Sequence, residues 1–144
     1  MSTSVLEDLR WFVSRARAPR LRTVQEFSTD EIVVPDGPYR GRRWRYDRQP
    51  YTRLLDQAID SGRWTRVVVT GPTQSGKTLS AFVKPLMYHL FEVGETVICG
   101  VPDMDMAGDK WRLDILPAIQ ASSYRDLLPV TGGGSRGGRV DRID

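Results

Sequence analysis

The sequence predicts an α/β fold in which helices flank a parallel sheet. Two short runs rich in β-branched residues, 64–70 and 96–101, are typical of buried strands. A helical spacing of apolar residues follows each run, at 77–92 and 105–121. Strands that alternate with helices favour a parallel sheet. Two or three strands are few for a whole sheet, so we expect the fold to be incomplete at its C-terminus.

Length and composition exclude several classes of protein. The 144 residues suit one domain, and 40% hydrophobic with 27% charged residues excludes collagen-like and wholly disordered chains. The sequence has neither an apolar run near the roughly 20 residues of a membrane span nor a signal-peptide pattern. We therefore expect a soluble, cytoplasmic protein with no membrane partner. A single cysteine, Cys99, excludes a disulfide framework and a Cys-based zinc site, and a single histidine, His89, argues against a His-based metal site and a Ser-His-Asp triad.

The first 62 residues divide into two regions. Residues 1–20 predict an amphipathic helix, whose apolar stripe contains Val5, Leu9, Phe12 and Val13. Residues 21–62 predict a basic and aromatic approach segment, extended as far as residue 50 because of its prolines. A helix at 51–61 completes it, with the predicted inward side chains Leu54, Leu55, Ala58 and Ile59.

The C-terminal residues have two further signals. Five glycines within 132–138 predict a loop. The alternation of residue types over 139–144 predicts the beginning of another strand.

Positive charge is concentrated in the first half of the chain. The net charge is +3, but residues 1–66 contain 13 basic and 9 acidic side chains, against 8 and 9 in residues 67–144. The densest patch, interleaved with Tyr39, Trp44 and Tyr46, contains Arg40, Arg42, Arg43, Arg45 and Arg48. Guanidinium groups beside aromatic rings suit phosphate and base contacts in nucleic acids. A solvated loop with cation–π packing is the alternative.

One motif points directly to chemistry. Residues 71–78 follow the pattern G-x-x-x-x-G-K-[ST] of the P-loop, or Walker A motif, with the members Gly71, Pro72, Thr73, Gln74, Ser75, Gly76, Lys77 and Thr78. The motif lies between a predicted strand and a predicted helix, which is the context it requires. Its glycines allow backbone N–H groups to surround an anion. Lys77 is the candidate catalytic residue, reaching the β- and γ-phosphates of ATP, and Thr78 the candidate Mg²⁺ ligand. Residues 63–144 are thus predicted to be a partial P-loop ATPase core; a turn without ligand is the alternative.

Hydrolysis requires an acidic residue at the end of a second strand to hold Mg²⁺. Asp103 follows the predicted strand 96–101 and is the local candidate. The competing interpretation is that Asp103 caps the helix that begins near residue 105, and the sequence favours it. Lys84, seven residues after Lys77, is expected on a solvated helix face.

Three segments in order resemble the N-terminal half of the ATPase domain of a tailed-phage terminase large subunit of the lambda-like type. They are 41–51 (GRRWRYDRQPY), 67–78 (VVVTGPTQSGKT) and 97–119 (VICGVPDMDMAGDKWRLDILPAI). The resemblance implies a motor, oligomeric when working, that uses ATP to move double-stranded DNA into a prohead. It also implies the terminase small subunit and the portal as partners. By the same resemblance, 71–78 is the phosphate loop, and Tyr51 or Gln49 contacts the adenine.

The resemblance also implies parts that this sequence lacks. The family's Walker B acids, catalytic glutamate and nuclease domain would lie beyond Asp144, so we expect weak nucleotide binding and little or no hydrolysis. Asp103 replaces the threonine of the family's motif after the second strand, which weakens it as a metal ligand. Two alternatives stay open. One is a truncated, non-catalytic prophage remnant that binds nucleotide or a partner; the other is a different small P-loop NTPase or kinase with Asp103 as its metal acid.

Overall fold

The computed structural model describes residues 3–16, 20–128, 138–139 and 142–143, and helices dominate them. Two of the helices, α4 and α5, join α-helical and π-helical turns into continuous stretches. In order, the helices are α1 (Thr3–Ala16), α2 (Val24–Glu31), α3 (Thr52–Asp60), α4 (78–93), α5 (104–120) and a 3₁₀ helix (Ser123–Leu127).

Both composite helices change their hydrogen-bond pattern at a proline. In α4, π-helical turns at Thr78–Val83 and Tyr88–Val93 flank the α-helical turn Lys84–Met87. In α5, Met104–Asp109 is α-helical, Lys110–Ile115 is π-helical and Leu116–Gln120 is α-helical. Each change from π to α comes directly before Pro85 or Pro117. Because proline has no N–H to donate, the regular ladder cannot continue through it unchanged.

The predicted parallel sheet is wrong. Neither 64–70 nor 96–101 forms a strand, and neither has a backbone hydrogen bond to another described residue. Val68 and Ile98 are 76% and 91% exposed. The strands that the structure does describe, β1 (Gly138–Arg139) and β2 (Arg142–Ile143), pair antiparallel with each other. β-Branched residues favour a strand only where they gain cross-strand partners and burial, and these two segments gain neither.

The helices predicted at 51–61, 77–92 and 105–121 are confirmed to within two residues at their ends, and α1 lies inside the predicted range 1–20. α1, α3, α4 and α5 lie where apolar spacing placed helices. The core is built between α2, the segment 32–46, α4 and α5. Its largest fully buried apolar side chains are Phe27, Ile32, Met87 and Ile119.

Two expectations about the first 62 residues are wrong. Residues 24–31 are helical, not extended, since the capping box of Thr23 and Glu26 fixes the start of α2. The predicted inward face of α3 is wrong for Leu54, which is 71% exposed, whereas Ile59 packs partly buried against the core and the buried side chains of the helix are Thr52 and Asp56. Apolar spacing alone could not indicate these two buried polar side chains.

The basic and aromatic patch folds as a short hairpin. The Val34 N–H donates to the Arg42 carbonyl at 2.9 Å, and the Trp44 N–H donates to the Ile32 carbonyl at 2.8 Å. Gly37 and Gly41 provide the positive φ angles of its turns, +84° and +77°. This hairpin (32–44) buries Trp44 and exposes its arginines.

Some expectations concern other parts of the chain. Of the glycine loop at 132–138, residues 132–137 lie outside the described residues. The single strand expected at 139–144 is wrong, because its described residues belong to two short strands, β1 and β2, that pair antiparallel with each other. The apolar stripe of α1 is exposed, with Phe12 at 65%. Within the described ranges, every helix is too short or too polar to cross a membrane.

Candidate functional site

The loop that precedes α4 has an unusual backbone. Gln74 has a φ of +57° and Gly76 a φ of +75°. Gln74 is the one non-glycine residue with positive φ in the part of the chain that the structure describes. Such angles suit glycine and cost a residue with a Cβ atom energy. The sequence Gly-Pro-Thr-Gln-Ser-Gly thus forms a tight loop that ends where α4 begins.

Lys77 closes this loop from inside. Its ammonium group donates hydrogen bonds to the Gly71 carbonyl at 2.9 Å, to the Pro72 carbonyl and to the Ser75 hydroxyl at 3.3 Å. The Ser75 hydroxyl in turn donates to the Pro72 carbonyl at 2.9 Å. The positive charge of Lys77 is therefore satisfied by oxygens of the loop itself.

The start of α3 packs against the same loop. The Tyr51 hydroxyl donates to the Ser75 carbonyl at 2.7 Å. A Cβ atom at Gly76 would lie 2.8 Å from Nε2 of Gln49, so the loop backbone and the Gln49 amide are in close contact. The Gln49 Oε1 is buried without a hydrogen-bond partner. The structure thus brings both adenine candidates, Tyr51 and Gln49, to the predicted phosphate loop.

A cavity of about 310 Å³ lies between α3 and the loop. Its lining includes Gly71, Ser75 and Lys77 from the loop and the apolar side chains of Leu55 and Val69. Its volume falls at the lower end of the roughly 300–1,000 Å³ typical of small-molecule sites. A lining that contains both a lysine and apolar side chains suits a ligand that has both an anionic and an apolar part.

The two candidate metal ligands, Thr78 and Asp103, are not joined by a hydrogen bond. Asp103 is the N-cap of α5, and its carboxylate accepts the Met106 N–H at 2.7 Å. The capping interpretation of Asp103 is confirmed by this contact. Thr78 is the first residue of α4. Among the described residues, no group of three or more His, Cys, Asp or Glu side chains is arranged to hold a metal. These residues would therefore hold a Mg²⁺ ion only together with a bound triphosphate, whose oxygens would supply most of the ligands of the ion.

Lys84 does not lie on a solvated face, as its position in the helix predicted. Its side chain and that of Asp56 are both fully buried, with Nζ 2.6 Å from Oδ1 and 2.7 Å from Oδ2. The Tyr46 hydroxyl also donates to Asp56 Oδ2. The ammonium lies 5.1 Å from the ring centre of Trp44. Burial lowers the pKa of Lys84, against the opposing effect of the Asp56 carboxylate. Sequence analysis missed this pair because its two members are far apart in the chain.

A second polar cluster fixes the far end of α4. The Arg22 guanidinium donates to Glu92 at 2.7 Å and to Glu31 at 3.0 Å. The bond from Arg22 holds the pKa of Glu92 below its ordinary value. Burial alone would raise the pKa of Glu31, but hydrogen bonds from Ser123 and Arg22 outweigh it, so that this pKa is also lowered. The cluster joins α2 to α4 and has no evident chemical role.

The arginines of the basic and aromatic patch, in the hairpin and directly after it, divide into two groups. Arg45 pairs with Asp47 at 3.0 Å, and the Arg48 guanidinium stacks 4.1 Å from the ring centre of Tyr39. The second group consists of Arg40, Arg42 and Arg43. Their guanidinium groups are exposed and form no ion pair with a described residue. The cation–π alternative therefore describes Arg48, while the other three arginines are available to an anion.

Comparison with known proteins gives no assignment. No protein-family model, curated protein or solved structure matches the chain. The resemblance to terminases therefore depends on the three sequence segments alone, and the function is argued from the loop and its surroundings.

Proposed function

We propose that the loop at 71–78 binds the triphosphate of ATP. The observation that carries this proposal is the position of the Lys77 ammonium, held inside a loop of positive-φ residues at the start of α4. Helix N-termini and backbone N–H groups of such loops favour anions. The proposal depends on the loop, the helix after it and the cavity beside it, because the strand that normally precedes a P-loop is not formed by residues 64–70.

The residues of the loop have distinct tasks in this proposal. Lys77 exchanges its bonds to the Gly71 and Pro72 carbonyls for bonds to phosphate oxygens, so binding removes contacts that hold it now. Thr78 offers its hydroxyl to Mg²⁺, which neutralises part of the triphosphate charge when bound. Tyr51 and Leu55 supply the wall for the nucleoside.

We further propose that the chain is the ATP-binding part of a motor that moves double-stranded DNA in the host cytoplasm. The order of the three terminase-like segments supports this. Arg40, Arg42 and Arg43 support it independently, because exposed guanidinium groups without carboxylate partners suit backbone phosphates. The terminase small subunit and the portal are the partners that the resemblance adds, within an oligomeric assembly.

A nucleotide-binding module without turnover is the second candidate function. The use of Asp103 as a helix cap favours it over a small kinase that would need this carboxylate for its metal. Two candidate functions therefore remain, an ATP-hydrolysing motor and a nucleotide-binding module without turnover.

An assay of Mg-ATP turnover, with and without duplex DNA, separates these candidates. Turnover that rises with DNA and disappears in Lys77→Ala supports the motor. Saturable ATP binding that depends on Lys77, without turnover, supports the binding module. Neither binding nor turnover at millimolar ATP would overturn both.

A further inference from the structure

We propose that the buried ion pair between Asp56 and Lys84 positions the Tyr51 wall against the phosphate loop. By doing so it sets the affinity for the nucleoside part of the ligand. The inference rests on the proposed function, since it assigns a role to residues that support the same cavity. Neither residue touches the cavity, so both act through others as positioning residues.

Each member of the pair lies one helical turn beyond a cavity residue. Asp56 comes four residues after Thr52 on α3, and Lys84 comes four residues after Ser80 on α4. Thr52 and Ser80 are both buried and line the cavity. Side chains four residues apart lie on one face of a helix. Asp56 and Lys84 therefore lie on the same faces of α3 and α4 as Thr52 and Ser80, one turn away from the cavity.

The two cavity residues are tied to the parts of the site that need alignment. The Ser80 hydroxyl donates to the Gly76 carbonyl of the loop at 2.9 Å. The Thr52 hydroxyl donates to the Gln49 carbonyl at 2.7 Å, beside Tyr51. A shift of α3 along α4 would therefore move Tyr51 and Gln49 relative to Gly76.

The pair is suited to fix that register. α3 packs chiefly against α2, so the bond to Lys84 is its main polar link to α4. Both carboxylate oxygens lie within 2.7 Å of Nζ, and Tyr46 and Trp44 confine the ammonium further. An apolar contact of the same size would tolerate sliding, whereas sliding would separate the two buried charges; Asp56 Oδ1 already depends on the charge of Lys84 alone, since it has no hydrogen-bond partner among the described residues.

A selective effect on ligands follows. The loop belongs to α4 and grips phosphate, while the nucleoside wall belongs to α3. Loss of the pair should leave the phosphate grip intact and misplace the wall. Affinity for ATP should then fall, while affinity for inorganic tripolyphosphate should not.

The test measures dissociation constants for ATP and for inorganic tripolyphosphate on the full chain. Lys84→Met with Asp56→Leu removes both charges, so no unpaired buried charge remains and unfolding in urea reports whether the variant is stable. We expect ATP affinity to fall about tenfold, with tripolyphosphate affinity within about twofold of the unmodified chain. The half-buried pair variant Lys110→Met with Asp114→Leu on α5 is the control and should change neither.

Several results would overturn the inference. A stable double variant that binds ATP as the unmodified chain does shows that the pair only stabilises the fold. Equal loss for both ligands shows a general effect on the loop. If the double variant does not fold, Tyr46→Phe decides in its place, because it removes one bond to Asp56 and leaves the two buried charges paired: a loss confined to ATP supports positioning, and any other result overturns it. An unmodified chain that binds tripolyphosphate but not ATP overturns the role of the wall alone, and one that binds neither overturns the proposed function as well.

Discussion

The hydroxyl of Tyr51 donates a hydrogen bond of 2.7 Å to the backbone carbonyl of Ser75, across 24 positions of the chain. Ser75 directly precedes Gly76 and Lys77, the two residues that define the end of the loop. The bond therefore joins the start of α3 to the part of the loop that holds the positive charge. Two parts of the cavity lining, Tyr51 and the phosphate loop, are thus held together by this bond.

Tyr51→Phe removes this bond and keeps the ring. Because a neutral hydrogen bond contributes about 0.5–1.5 kcal/mol, we expect ATP affinity to fall about two- to tenfold in a calorimetric titration. Tyr39→Phe is the control, since its ring stacks with Arg48 on the hairpin, away from the cavity. Unchanged ATP affinity in Tyr51→Phe would show that the loop does not need its anchor to α3.

Gly76→Ala tests the backbone of the loop. A positive φ costs a residue with a Cβ atom roughly 1–2 kcal/mol, and here the Cβ atom would also meet the Gln49 amide. Gly62→Ala is a matched control, with a φ of +60° and open space around the Cβ position. Urea unfolding should show a loss of stability in both variants, larger in Gly76→Ala because of the contact with Gln49, and ATP affinity should fall in Gly76→Ala alone. Equal ATP affinity in the two variants would contradict the assignment of the loop.

The Arg22 cluster predicts how stability depends on pH. A glutamate whose pKa is lowered in the folded chain contributes stability that is complete above its unfolded value, about 4.3, and disappears as the pH falls below it. Glu92 and Glu31 both have lowered pKa values. We therefore expect the free energy of unfolding to decrease as the pH falls from about 5 toward 3.

Glu92→Gln should weaken this acid dependence. The variant should be less stable at pH 7 and lose less stability on acidification, with the remaining slope due in part to Glu31. Urea titrations at several pH values measure the slope, and the exposed Glu95→Gln is the charge-matched control. An unchanged acid slope in Glu92→Gln would show that the Arg22 bond is not the cause.

Arg40→Gln with Arg42→Gln tests the hairpin. If each guanidinium contacts one backbone phosphate, duplex binding should weaken, and the slope of log affinity against log salt should decrease by about 2. Arg63→Gln with Arg66→Gln removes the same charge from an exposed segment elsewhere. Fluorescence anisotropy with a labelled duplex measures both. Equal effects of the two double variants on duplex affinity would show that the hairpin arginines act only through their net charge.

The sequence predicted the helices well and the sheet badly, for a physical reason. Apolar spacing is a local property, so α4 and α5 could be placed to within two residues. A strand depends on partners, and the valines of 67–69 have no hydrogen-bonded neighbour among the described residues. The start of α2 had a local signal, the spacing of Thr23 and Glu26, that the proline content concealed.

The candidate site shows the same division. The motif identified the loop and Lys77 directly, because its residues are contiguous. The approach of Tyr51 and Gln49 to it came from the resemblance, not from spacing. The pair of Asp56 and Lys84 had no sequence signal, since a buried ion pair between two helices depends on their packing.

The dissociation constant for Mg-ATP, compared between the unmodified chain, Lys77→Ala and Lys110→Ala, tests the central claim most directly. A hydrogen bond to a charged group contributes about 1.5–3 kcal/mol, so we expect Lys77→Ala to weaken binding at least about tenfold. Lys110, which pairs with Asp114 on α5, should be dispensable. Saturable binding that only Lys77→Ala weakens is the predicted result, and binding that ignores the loss of Lys77, or is undetectable at millimolar ATP, would contradict it.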